Sequence, residues 1–114
     1  MITYGKSLTM KFNEFQDLAM STRLESANLL YALMGLVGEV GEVYSLLAKG
    51  IRDGVEDEEA FKDKVKKELG DVLWFIAAIC EDMDYTMDEC AEAVVKKLKD
   101  RKERGVLSGS GDNR

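Results

Sequence analysis

Apolar residues along this chain recur every three or four positions and seldom alternate, which is the spacing of one-faced helices and not of half-buried strands. Four segments carry the pattern. The first spans about Lys11 to Met20, with Thr9 as the expected N-cap and Phe12, Phe15, Leu18 and Ala19 at helical spacing. The second spans about Glu25 to Ala48. There Thr22-x-x-Glu25 reads as a capping box and Lys49-Gly50 as a stop, and Leu30, Met34, Val37, Val40, Tyr44 and Leu47 share a face. Between Leu29 and Met34 it is apolar on nearly every side, which predicts burial on more than one face and hence a subunit interface. The third runs from Asp57 or Glu58 to about Asp82, with Phe61, Val65, Leu69, Val72, Ile76 and Ile79 as its stripe. The acidic run Glu56 to Glu59 suits its electropositive start. The fourth opens at Thr86 with the box Thr86-x-x-Glu89 and continues through Met87, Ala91, Val94 and Leu98 toward Arg104-Gly105.

The pattern predicts an all-α domain of four helices. The absence of proline suits uninterrupted helices. A chain of 114 residues has room for one such domain, expected over residues 1–104, followed by a Gly/Ser-rich flexible tail over 105–114. No apolar run approaches the roughly 18 to 20 residues of a membrane span, so a soluble protein is expected. Two cysteines, Cys80 and Cys90, and no basic-then-apolar leader point to a cytoplasmic setting, and the two thiols read as small core residues. The net charge of −6 disfavours a nucleic-acid polymer or an anionic membrane as partner, and requires any anionic substrate to arrive with a cation. The chain has no histidine, which removes the commonest general base, the usual zinc ligand and the Ser-His and Cys-His pairs. It also excludes the Glu-x-x-His ligands of a di-iron carboxylate bundle.

Chemistry therefore falls to carboxylates, amines or a metal. Glu39 and Glu42 stand three residues apart, on one side of a helix, and Glu68 and Asp71 repeat that spacing in the next. One such pair is an ordinary solvated surface. Two pairs in consecutive helices, each among Leu and Val, converge if the helices pack antiparallel. Four like charges so close need shifted pKa values or bound cations. Oxygen ligands alone select Mg²⁺ or Mn²⁺. Gly35, Gly38 and Gly41 form a row down the same helix, and Gly70 adjoins Asp71. Each costs helix stability, so each makes room for a ligand, another backbone or a closely packed neighbour.

The string Gly35-Leu36-Val37-Gly38-Glu39-Val40-Gly41-Glu42-Val43, then Lys49, then Glu68-Leu69-Gly70-Asp71-Val72-Leu73-Trp74-Phe75, resembles the ExxE and ExxD signature of the MazG-like, all-α nucleoside triphosphate pyrophosphohydrolases. Phe12 to Thr22 is similar to that family's leading helix and Lys97-Leu98-x-x-Arg101 to its closing one, so the resemblance covers most of residues 9–104. It implies hydrolysis of a (d)NTP between the α- and β-phosphates, giving (d)NMP and pyrophosphate, for nucleotide-pool cleansing or modulation. It also implies Mg²⁺ held by Glu39, Glu42, Glu68 and Asp71, one of which, Glu39 first, orients or deprotonates the water. An all-α fold like a four-helix bundle, with two long antiparallel helices at its centre carrying the acidic motifs, and a homodimer or homotetramer with shared pockets are implied as well.

Lys49, Lys97, Arg101 and Arg52 are the candidate phosphate contacts, although Lys49 equally suits a helix C-terminus. Gln16, Asn28 and Trp74 are the candidate base contacts, with Trp74 expected first as a core or interface side chain. Arg114, at the end of the tail, is placed to reach a phosphate or ribose. Val94 stands where many relatives carry Asn, so the base pocket must be built differently here. A non-catalytic helical oligomer that binds a nucleotide or a partner protein is the alternative function. Retention of all four acids in apolar surroundings favours the enzyme.

Overall fold

The computed structural model describes residues 9–114, and these form four helices with no strand among them. Helix α1 spans Phe12–Met20, α2 Leu29–Asp53, α3 Glu58–Asp82 and α4 Met87–Glu103. Starts and stops follow local chemistry where no distant residue intervenes. Asp57 caps α3 by accepting from the Ala60 N–H, and Thr86 with Glu89 closes a reciprocal capping box on α4. The N-cap of α1 is Lys11, without a side-chain cap, and not Thr9.

Helix α2 departs from expectation at both ends. Thr22 does not cap it, because its hydroxyl donates to the Ala19 carbonyl at 2.6 Å and accepts from the Trp74 indole N–H at 2.9 Å. Residues 21–28 are therefore turns and connecting chain, and Asn28 caps the helix by accepting from the Tyr31 N–H. At the other end α2 runs through Gly50, whose missing side chain lets the Phe61 ring lie against the backbone, since a Cβ there would come within 2.9 Å of the ring. Gly54, with φ of 82°, ends the helix in a conformation that favours glycine.

The loop after Gly54 turns α3 back antiparallel to α2: Gly35 meets Phe75 near one end of the pair, and Gly50 meets Phe61 near the other. Helix α3 is the spine. One side takes α2, another takes α1, and α4 leans on α1 and α3 near its own start. Ala19, Ala77, Cys80 and Met87 form one buried cluster with Phe15, Leu73 and Ile76 around it, while Ala32, Phe75 and Ala78 form a second under Leu36 and Ile79. Arg23 locks the α1–α2 connection to the end of α3 through paired hydrogen bonds to Asp82 at 2.9 and 2.8 Å.

Among the described residues α2 touches α3 and no other helix, so one chain does not close a four-helix bundle. Its far side carries Leu30, Leu33, Val37, Val40, Tyr44, Leu47 and Ile51, an unbroken three-four spacing on which every residue is exposed, Ile51 by 87%. The radius of gyration is 17.0 Å, against about 13 Å for a compact chain of this length. An 18-residue stretch of α2 has a mean hydropathy of 1.3, so by length and composition this helix also meets the measure of a membrane-crossing one, although Gly and Glu interrupt its apolar run.

Candidate functional site

Glu39 lies in the middle of α2 and Glu68 and Asp71 in the middle of α3, and the antiparallel pairing brings the three together. One oxygen from each lies within 4.8 Å of the others. Burial pushes the Glu39 carboxyl above its ordinary value of 4.5, and the nearby charges of Asp71, Glu68 and Glu42 push it further the same way. Glu42, one turn along α2, is exposed and lies outside the close group. Its charge is nevertheless felt at Glu39. Three converging carboxylate oxygens with no nitrogen or sulfur among them fit a hard divalent cation.

Beside the carboxylates lies a hollow of about 240 Å³ lined by Tyr31, Glu39, Asp71, Trp74 and Phe75. The glycine row explains part of it. A Cβ on Gly35 would overlap the Phe75 ring, so that glycine lets Phe75 form the floor. Gly38, Gly41 and Gly70 face open space within this chain, leaving room for a ligand or another copy. The Trp74 ring stands edge-on to Phe75 at 5.1 Å between centroids, and Tyr31 is tilted against Phe75 at 5.7 Å.

The remaining predicted contacts are scattered. Gln16 is buried and fully engaged: its amide donates to the Tyr85 carbonyl and its carbonyl oxygen accepts from the Met87 N–H at 2.8 Å, so it builds the α3–α4 turn and does not read a base. Asn28 is spent on capping α2. Lys49 lines a separate hollow at the closed end of the α2–α3 hairpin, with Lys64, Asp53 and Asp57. Arg52 is paired with its neighbour Asp53. Lys97 is exposed on α4, which makes no contact with α2.

Arg101 is 5% exposed and donates to the Asp112 carbonyl at 2.8 Å, covered by the tail. Arg114 folds back onto the carbonyls of Val106, Gly111 and Leu107. Cys80 is buried, but Cys90 is exposed, contrary to its reading as a core residue, with the two sulfurs 3.7 Å apart. Tyr31 is the residue that sequence reasoning missed. It precedes Glu39 by little more than two turns, which places it within a quarter turn of the same face.

The profile of the MazG nucleotide pyrophosphohydrolase domain matches residues 28–106. The chain is also similar to the gene 37 protein of Mycobacterium phage L5, with 43% identity over 88 residues that cover 75% of this chain and 76% of that one. No solved structure matches.

Proposed function

The chain belongs to the MazG nucleotide pyrophosphohydrolase domain family, and from that premise we propose that it is a Mg²⁺-dependent enzyme cleaving (d)NTP to (d)NMP and pyrophosphate. The observation that carries this reading is the meeting of Glu39, Glu68 and Asp71 within 4.8 Å beside an open, aromatic-walled hollow. These three residues would hold the cation, with Glu42 completing the set by a change of side-chain rotamer. A bound Mg²⁺ neutralises phosphate charge and lowers the pKa of a coordinated water. Mn²⁺ suits the same oxygen ligands.

The chain's own groups then do the following. Burial and the acids around it hold a proton on Glu39 more tightly than on an ordinary carboxylate, which suits the oxygen that it does not give to the cation to accept a proton from the attacking water. Phe75 and the apolar flanks of α2 and α3 keep bulk water from one side of the hollow. Lys49, which lines the separate hollow at the hairpin's closed end, is the basic side chain proposed for the departing pyrophosphate.

The bare seam of α2 supports a homodimer or homotetramer. Its seven side chains expose on the order of 700 Å², close to what one partner contributes to a standard interface. A second copy suits this face better than a lipid bilayer, because Glu39 and Glu42 fall near the middle of α2, where an acid costs about 3 kcal/mol. The two free thiols suit the reducing cytoplasm. The test is pyrophosphate release from nucleoside triphosphates with Mg²⁺. The wild-type chain releases it, while Glu68→Gln and Asp71→Asn lose most activity with their helical content intact. Near wild-type rates in both variants would show that the carboxylates serve something else, such as a regulatory metal site in a non-catalytic oligomer.

A further inference from the structure

We infer that Tyr31 and Trp74 are the two walls between which the nucleobase stacks, and that the site reads a base by ring area and not by hydrogen bonds to its edge. The inference rests on the nucleotide reading above. The hollow beside the carboxylates has two kinds of lining: the acids Glu39 and Asp71, and the rings of Tyr31, Trp74 and Phe75. A ligand with a metal-binding anionic end and a flat aromatic end matches that division.

The aromatic flank is built to stay open. Phe75, 9% exposed, is the floor, and Tyr31 and Trp74 both lean on it from different helices, tilted and edge-on, without touching each other face to face. Tyr31 is 53% exposed although the Asn28 cap holds its backbone at the first turn of α2. A large ring held there leaves a face for something else to cover.

Trp74 is fixed in turn by its indole N–H, which donates to the Thr22 hydroxyl at 2.9 Å. That bond orients the ring and uses the only donor the indole has. Glu39 and Asp71 are acceptors committed to a cation in the nucleotide reading. Among the side chains lining the hollow, only the Tyr31 hydroxyl is left to address a base edge. Stacking is available to every base, so such a pocket tolerates all of them and prefers the larger purines by a modest factor.

Trp74 is the chain's one tryptophan, so its fluorescence reports the pocket directly. The full-length protein with Mg²⁺ is titrated with non-hydrolysable α,β-imido analogues of ATP, GTP, CTP and UTP, and with inorganic tripolyphosphate. Each nucleotide analogue quenches Trp74 and saturates, with purines tighter than pyrimidines by less than about tenfold, and tripolyphosphate leaves the emission unchanged. Tyr31→Ala and Tyr31→Leu weaken every nucleotide about tenfold. The leucine keeps an apolar contact on Phe75, and tripolyphosphate affinity, read by competition, stays the same in both. Tyr31→Phe binds like wild type.

Unchanged nucleotide affinity in Tyr31→Leu would overturn the inference. So would a Tyr31→Phe as weak as the leucine variant, or a preference for one base above a hundredfold. Pyrophosphate release is followed in parallel with natural triphosphates. Release without any effect of Tyr31 rejects the stacking walls and keeps the hydrolase, whereas quenching that depends on Tyr31 without release rejects the hydrolase and keeps the walls.

Discussion

Replacing Glu39 by Gln removes one charge from a group whose oxygens lie within 4.8 Å of one another. At that separation two unit charges repel by about 0.9 kcal/mol in water-like surroundings, and by about 3.5 kcal/mol where the effective dielectric constant is near 20. Glu39 and Glu68 are half-buried and Asp71 is exposed. Screening therefore holds the net relief to the lower end, about 1 to 2 kcal/mol over both close neighbours.

The pH dependence follows from the direction of the Glu39 shift. Burial and the neighbouring carboxylates raise its pKa above 4.5, so the native state binds this proton more tightly than the unfolded chain does. The stability this confers is fully present below about pH 4.5 and is lost as pH rises through the raised value. Thermal melts by circular dichroism from pH 4 to 8, with chelator and with Mg²⁺, test the point. Without metal at pH 7, Glu39→Gln melts above wild type by about 3 to 12 °C, from about 3 to 6 °C per kcal/mol at this size. The gap closes toward pH 4. Mg²⁺ at about a hundred times its Kd adds about 2.7 kcal/mol to the wild type and less to the variant. A metal-free Glu39→Gln that melts below wild type at pH 7, or a wild type indifferent to Mg²⁺, would refute the reasoning.

Three other expectations concern packing and exposure. Val37→Glu combined with Tyr44→Glu places charge on the exposed seam of α2 and converts the assembly to a monomer in light scattering, whereas a wild-type mass of 12.8 kDa at micromolar concentration contradicts the seam's assigned role. Gly35→Ala drives a methyl into the Phe75 ring and lowers stability by about 1 to 3 kcal/mol. Gly38→Ala meets nothing within 4 Å and gains about 0.5 to 1 kcal/mol of helix propensity, so melting shifts of the same sign in both variants would count against the α2–α3 contact described. At pH 8, iodoacetamide modifies Cys90 and spares Cys80, whose thiol burial and the neighbouring Cys90 push up to about 11, and peptide mass mapping reads the difference.

What was legible in the chain was whatever its neighbours in sequence decide. Thr86 caps α4 as its local pattern predicts, and α3 starts at Glu58 behind Asp57, where the acidic run points, because no distant group competes for those side chains. Thr22 fails as a cap because a tryptophan 52 residues away takes its hydroxyl. Gly50 fails as a stop because it was needed as a gap for Phe61 on the neighbouring helix. The carboxylate spacing announced a convergence of acids, but the packing of the two helices decides that Glu39, Glu68 and Asp71 meet while Glu42 stays outside the close group. Gln16 looked free to bind a ligand, yet the backbone of Tyr85 and Met87, some 70 positions on, occupies both of its polar ends. Tyr31 drew no notice among apolar residues, and only the partner helix turns it into the wall of a hollow.

The products decide the central claim. The purified chain is incubated with a panel of ribo- and deoxyribonucleoside triphosphates and Mg²⁺, and ³¹P NMR follows the phosphorus resonances as substrate disappears. Cleavage at the α–β bond yields nucleoside monophosphate and pyrophosphate in equal amounts, stopped by chelator and absent in Glu68→Gln, and this is the result expected. Nucleoside diphosphate with inorganic phosphate, or substrate left intact across the whole panel, would contradict it.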